Sequence, residues 1–282
     1  MPCAAYAAPE AYPTALIDRP LILPQGKAEF GVLGNLSNWS VANDSVTGEA
    51  GVLDAEIGLG KAQLGLALAL PLNPGFGFGS VFGSAAFAIA PHGAIRLDFG
   101  LDHIGLNGGG ASSSGSSNII SFGLGAPFRV GLAQNVSFVS GSVGAMNVAH
   151  FTNVGNNGTG AYVGAGGLMF NGADLIALNL ATEGDGKQLA VNLPLGVLIQ
   201  AAPQFSVTLH AGYEGLFNLG NGGGTEHFLP VGVDAVFSTP GGADIGASFS
   251  LAGALGTTNS IAGTVPGYAD IRMATLWLRF RT

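Results

Sequence analysis

The stretch Gln188 to Tyr213, QLAVNLPLGVLIQAAPQFSVTLHAGY, limits what this chain can become more than any other. Leu189, Val191, Leu193, Leu195, Val197 and Ile199 occupy every second position, with Ala190, Asn192, Gly196 and Gln200 between them. After a break containing Pro203, Phe205, Val207, Leu209, Ala211 and Tyr213 resume the alternation against Ser206, Thr208, His210 and Gly212. A strand sends successive side chains to opposite faces, so each run has one apolar face and one small or polar face. Two such runs about a tight connection predict a β-hairpin. Each run is long enough to cross a bilayer as a tilted strand, which takes about 9–11 residues.

Most of the chain restates this pattern. Strands are predicted near 27–36, 51–59, 62–72, 81–90, 93–101, 118–130, 135–148, 161–170, 174–182, 226–237, 243–251 and 268–281. The block Ala62 to Ala90 holds no charged residue, and a hydropathy window would read it as a spanning helix. Its leucines decide otherwise. Leu64, Leu66, Leu68 and Leu70 alternate with Gly65, Ala67 and Ala69, a spacing that would scatter them around every side of a helix. Only 9% of the residues are charged, against about 25% in a soluble domain, so the chain has little with which to face water.

Short turns (60–61, 91–92, 131–134, 171–173, 201–204, 238–242) alternate with mostly longer loops rich in Gly, Ser and Asn, such as Ser37 to Ala50, Asn107 to Ser117 and Asn153 to Gly160. One strand, six hairpins and a last strand amount to about fourteen strands, with twelve as the alternative. Closure of the first on the last would leave no unpaired edge in lipid. The expected fold is all-β, a transmembrane antiparallel up-and-down barrel over 27–282. Residues 8–26, with Pro9, Pro13, Pro20 and Pro24, read as an extended lead-in or small plug. Residues 1–7 read as the remnant of a secretory leader, through the small-x-small pattern Ala5-Tyr6-Ala7. The repeated forms Ala126-Pro127-Phe128-Arg129-Val130, Leu193-Pro194-Leu195-Gly196-Val197 and Leu229-Pro230-Val231-Gly232-Val233 read as bulges or bends.

On this hairpin architecture, the chain resembles a bacterial outer-membrane β-barrel of the porin-like kind over roughly residues 27–282. The last strand, with Trp277, Leu278 and Phe280, partly fits the aromatic ending of such barrels, but Arg281 and Thr282 follow the Phe. The resemblance implies the bacterial outer membrane, a surround of lipid and lipopolysaccharide, barrel insertion machinery as a partner, and small solutes or ions as cargo. It leaves oligomer formation open. Trp39, Tyr162, Tyr213, Tyr268 and Trp277 are candidates for interfacial girdles.

The face opposite the apolar one is expected to carry Glu29, Asp54, Glu56, Asp98, Glu214, Asp234, Asp244 and Asp270 against Arg96, Arg129 and Arg272. Its remaining Gly, Ala, Ser, Thr and Asn cannot fill a wide barrel, which favours an open aqueous pore lined by these charges, with weak cation preference. Asp54 and Glu56, two apart on one strand, share a face and have no expected basic partner on either neighbour. The net charge of −8 disfavours nucleic acid, and the single cysteine, Cys3, excludes an internal disulfide framework. No G-x-S-x-G, Walker loop or H-E-x-x-H is present, so no enzyme, metal or cofactor is expected. Asp102-His103 and Glu226-His227 are the nearest approach to acid–histidine pairs at the rim; His92, His150 and His210 are scattered. Two further readings stay open: a transporter of apolar molecules resembling the fatty-acid channel family, and a structural β assembly without a channel.

Overall fold

A computed structural model describes residues 12–41, 44–73, 80–106, 115–140, 174–181, 187–220, 225–258 and 272–282. Nearly all of these are strand. β1 (Ala28–Val41), β2 (Asp44–Gly58), β3 (Ala62–Asn73), β4 (Ser80–Ala90), β5 (Gly93–Leu106) and β6 (Gly115–Gly125) are followed by two short strands, β7 (Arg129–Ala133) and β8 (Val136–Ser140). The rest are β9 (Asp174–Ala181), β10 (Lys187–Ala202), β11 (Phe205–Asn218), β12 (Thr225–Ser238), β13 (Ala243–Thr258) and β14 (Arg272–Arg281). A single 3-10 turn, Leu16–Asp18, precedes them.

Every pairing is antiparallel. β1 to β6 pair in succession, β6 pairs with β9, β9 with β10, and β10 to β14 again in succession. β14 then pairs with β1 from Glu29↔Arg281 to Asn38↔Arg272, which closes the sheet. β7 and β8 do not add positions to this ring. Ala94 N–H donates to Pro127 O at 2.9 Å and Arg129 N–H to His92 O at 2.9 Å, so β7 carries on the β6 position beside β5. β8 pairs with β10 at Leu195 to Ile199 and β9 pairs with it at Lys187 to Val191, so the two share one position. Among the described residues fourteen strands thus fill twelve positions, and the expected count and its alternative are both met. The expected strand 161–170 and its Asn171-Gly172 turn lie outside the described residues.

The reach of the strands departs from the sequence reading. Ser37 to Ala50, expected as a loop, is strand through Val41 and again from Asp44. Its Asn, Ser and Gly content reads as loop, yet main-chain ladder bonds between β1 and β2 continue through it. The same effect carries β5 to Leu106 and β13 to Thr258. The three proline forms do mark irregularities. Pro127 falls between β6 and β7, Pro194 lies between the parts of β10 paired with β9 and with β8, and Pro230 sits at the β12–β13 register shift between Leu229 and Val231.

The two faces of the wall are opposite in character. Phe30, Val32, Leu53, Ile57, Leu97, Phe99, Phe122, Leu209, Ile245 and Phe249 point outward and are exposed, up to 60% for Leu66 and 69% for Leu276. Phe99 and Phe122 meet edge to face across β5 and β6, with ring centroids 5.5 Å apart. Such a surface is costly in water and fits the hydrocarbon of a bilayer. Inward positions are Gly, Ala, Ser, Thr, a few charges and a few large apolar residues, most of them buried.

The phase of the last strand corrects the sequence reading. Arg272 was expected inside; it is exposed and shares the outward face of Leu276 and Phe280. Thr275, Trp277 and Arg279 face inward and are buried, as the strict period of two requires once Leu276, Leu278 and Phe280 meet lipid. Trp277 is therefore not part of a girdle.

Candidate functional site: the stoppered lumen

The turn-side end of the lumen is occupied by the chain's own lead-in. With four prolines in 8–26, this segment cannot extend a ladder, and it is gripped by side chains from the wall instead. Ile17 N–H donates to Gln200 Oε1 at 3.1 Å, and Leu23 N–H to Gln63 Oε1 at 2.6 Å. Arg129 Nη1 donates to the carbonyls of Ile17 (3.1 Å) and Arg19 (2.5 Å). Arg19 forms a two-pronged pair with Asp244, Nη1 to Oδ2 at 2.6 Å and Nη2 to Oδ1 at 2.9 Å. Its guanidinium also lies 5.7 Å from the centroid of the Tyr12 ring. Burial pushes the Tyr12 phenol above its ordinary range, against the opposing pull of Arg281 and Arg19.

The lead-in leaves the lumen beside Gly58. Gly26 N–H donates to Gly58 O at 3.0 Å and Gly58 N–H to Lys27 O at 2.9 Å. A Cβ at position 58 would overlap the carbonyl oxygens of Leu23 and Pro24, so only glycine admits this close approach.

Around this stopper the expected pore-lining charges form a paired layer. Arg281 Nη2 reaches Asp244 Oδ2 at 2.6 Å, and its Nε contacts Glu29. Arg279 Nη1 lies 3.1 Å from Glu29 Oε1 and its Nη2 lies 3.8 Å from Asp54 Oδ2. Arg279 and Asp54 come from the strands flanking β1 and meet across Gly31, where a Cβ would overlap the Asp54 carboxylate. Asp54 was expected to lack a basic partner; Arg279 supplies one. Arg96 Nε donates to Asp98 at 2.9 Å on the same strand. Asp234, fully buried, has Oδ1 3.4 Å from His210 Nε2. Glu56 faces inward beside this layer, half-buried. Glu214 is on β11 opposite Phe228 and Asn192, with its side chain outside the described residues, and Asp270 lies outside them altogether.

The residues that sequence reasoning missed are Arg19, Arg279 and Arg281, together with the amide anchors Gln63 and Gln200. The signal for the two C-terminal arginines was present: Leu276, Leu278 and Phe280 set the phase that turns 279 and 281 inward. Nothing in the spacing marks Arg19.

Beyond the charged layer lies an apolar one. Leu33, Val52, Ala67, Ala69, Phe82, Val139, Leu198, Val236 and Trp277 form one buried cluster that includes Leu16 of the lead-in, with Ile17 packed against it. At this level the expected open aqueous pore is instead filled. Counting only strand side chains missed the contribution of the lead-in. On the outward face, at the loop end, Tyr213 Oη lies 2.7 Å from His227 Nδ1, and the two rings stack at 5.9 Å.

No protein-family model matches the chain, and no curated protein matches it in sequence. Solved structures do resemble it. The COG4313 outer membrane channel from Pseudomonas putida F1 superposes with a TM-score of 0.54 at 10% identity, covering 98% of this chain and 100% of that one. The translocator domain of the autotransporter NalP from Neisseria meningitidis (TM-score 0.49, 10% identity, 91% and 88% covered) and the NanC porin (TM-score 0.46, 7% identity, 89% and 98% covered) are looser likenesses, and nothing further is drawn from them. At 10% identity the first likeness is one of fold, and the fold shared with that outer membrane channel is a closed antiparallel β-barrel.

Proposed function

We propose that this protein is a channel of the bacterial outer membrane for passive diffusion of small solutes, closed at its turn end by the displaceable segment 12–26. The observation that carries the reading is a closed wall with an apolar outer face whose turn-side lumen is occupied by a separate segment, residues 12–26, held by side chains of the wall. A barrel with a purely structural role has no need of a separate segment held inside it by side chains of the wall. Short turns place the stoppered end on the periplasmic side.

Ion preference belongs to this reading in a weakened form. The inward carboxylates Glu29, Asp54, Glu56, Asp98, Asp234 and Asp244 stand against Arg19, Arg96, Arg129, Arg279 and Arg281, so the near balance favours cations only slightly. We assign no catalytic role. His227, one of the rim histidines, is engaged with Tyr213 on the outward face, away from the lumen. The test is the current carried by the purified full chain in a planar bilayer. Discrete steps from the full chain, or from its Arg19→Ala variant with the stopper loosened, support the channel; folded, inserted protein of both kinds that passes neither current nor small uncharged solutes into proteoliposomes contradicts it.

A further inference from the structure

We infer that the passage selects uncharged, largely apolar solutes bearing a hydrogen-bond acceptor, an inference that rests on the channel reading. Three observations on the inward face carry it. First, Leu33, Val52, Phe82, Leu198, Val236 and Trp277 project from six different strands, and each is less than 5% exposed. They cross the lumen as a layer, where a water-filled pore would carry polar side chains. Second, this layer already holds an apolar guest. Leu16 of the lead-in sits in the same cluster, so the occupant the wall accepts is an aliphatic side chain. A solute entering that place must replace it in kind.

Third, the buried Trp277 indole N–H has no hydrogen-bond partner among the described residues. The ring lies against Gly246, where a Cβ would overlap it. An unmade bond from a buried donor costs free energy, so a solute that supplies an acceptor there gains twice, once by burial and once by pairing. Ions fare badly in the same place. An apolar constriction strips their hydration and offers nothing in return, and such rings gate by dewetting. The neighbouring charges are already engaged: Glu29, Asp54, Asp98 and Asp244 are each paired with an arginine, and Asp234, two residues from Val236, lies 3.4 Å from His210 Nε2.

The experiment compares two probes of similar size, acetophenone (uncharged, one carbonyl) and benzoate (charged), as blockers of single-channel current in planar bilayers. The full-length Arg19→Ala variant, whose lead-in is loosened, is used, with Arg19→Ala, Leu16→Ser as a second releasing variant. Acetophenone is expected to interrupt the current at a concentration at least ten-fold lower than benzoate. Trp277→Phe, which keeps the apolar surface and loses the donor, is expected to weaken that block several-fold. Leu198→Asn with Val236→Asn is expected to raise ionic conductance several-fold and abolish the block, with Val236→Thr as the near-isosteric variant should the pair fail to fold. Benzoate blocking as well as acetophenone, or a polar layer leaving conductance and block unchanged, overturns the inference and leaves the channel standing. Absence of both ionic current and solute-driven swelling of proteoliposomes in both releasing variants, with folding verified by a heat-dependent gel shift, overturns the channel reading and this inference with it.

Discussion

Replacing Arg19 with alanine should release the lead-in while sparing the wall. Arg19 donates two hydrogen bonds to Asp244 at 2.6 and 2.9 Å, both buried. A bond to a charged group contributes about 1.5–3 kcal/mol net, and the pair recovers desolvation when it goes. Asp244 is not orphaned by the change, because Arg281 still donates to it at 2.6 Å. The other anchors, Gln200 to Ile17, Gln63 to Leu23 and Arg129 to two carbonyls, also survive. The docked state should therefore lose about 2–4 kcal/mol, which moves the docked-to-released ratio by roughly 30- to 700-fold at 1.4 kcal/mol per decade. The assay is the open fraction of single-channel records, taken beside protease cleavage within 12–26 in proteoliposomes. Arg19→Lys keeps the charge without the planar fork and should fall between wild type and alanine. A folded Arg19→Ala barrel with wild-type open fraction and wild-type protection would refute the latch.

Glu29 is the shared partner of Arg279 and Arg281, so Glu29→Gln should cost about 3–5 kcal/mol in unfolding, read from denaturant midpoints in detergent; a loss near zero would remove it from the structural layer. Gly58→Val should expose residues 12–26 to protease without altering the heat-dependent gel shift, since its side chain strikes the lead-in and not the wall. Asp54→Asn with Glu56→Gln should change cation preference little even at low salt, because Asp54 is already matched by Arg279. A large fall in that preference would place both carboxylates in an open aqueous path.

What was legible in the sequence was the wall. Alternation in 188–213 and in the leucine run 62–72 needed only the period of two, and β10, β11 and β3 follow it with the expected faces. The continuation of the β1–β2 ladder was not legible, because the Asn- and Ser-rich composition of Ser37 to Ala50 reads as loop and the two apolar positions Trp39 and Val41 are too short a run to overrule it. The last strand failed for a different reason. Arg272 and Arg279 lie seven residues apart, an odd spacing, so the two cannot share a face, and placing the first inside put the second in lipid. Charge pairing across strands was hidden as well. Arg279 reaches Asp54 over Gly31, from the strand on the far side of β1, and adjacency of that kind requires closure to be known first. The stopper was visible only as prolines.

The central claim is a closed barrel with one face in lipid and the other around a stoppered lumen, and the last strand tests it most directly. In a Trp39→Phe background, tryptophan fluorescence at the native Trp277 would be compared with Leu276→Trp, Trp277→Phe in bilayers containing brominated lipid. Position 276 is 69% exposed on the outward face and position 277 is buried inside. Strong quenching at 276 with little at 277 is the expected result. Equal quenching at both, or quenching at 277 alone, would contradict the faces and the barrel built on them.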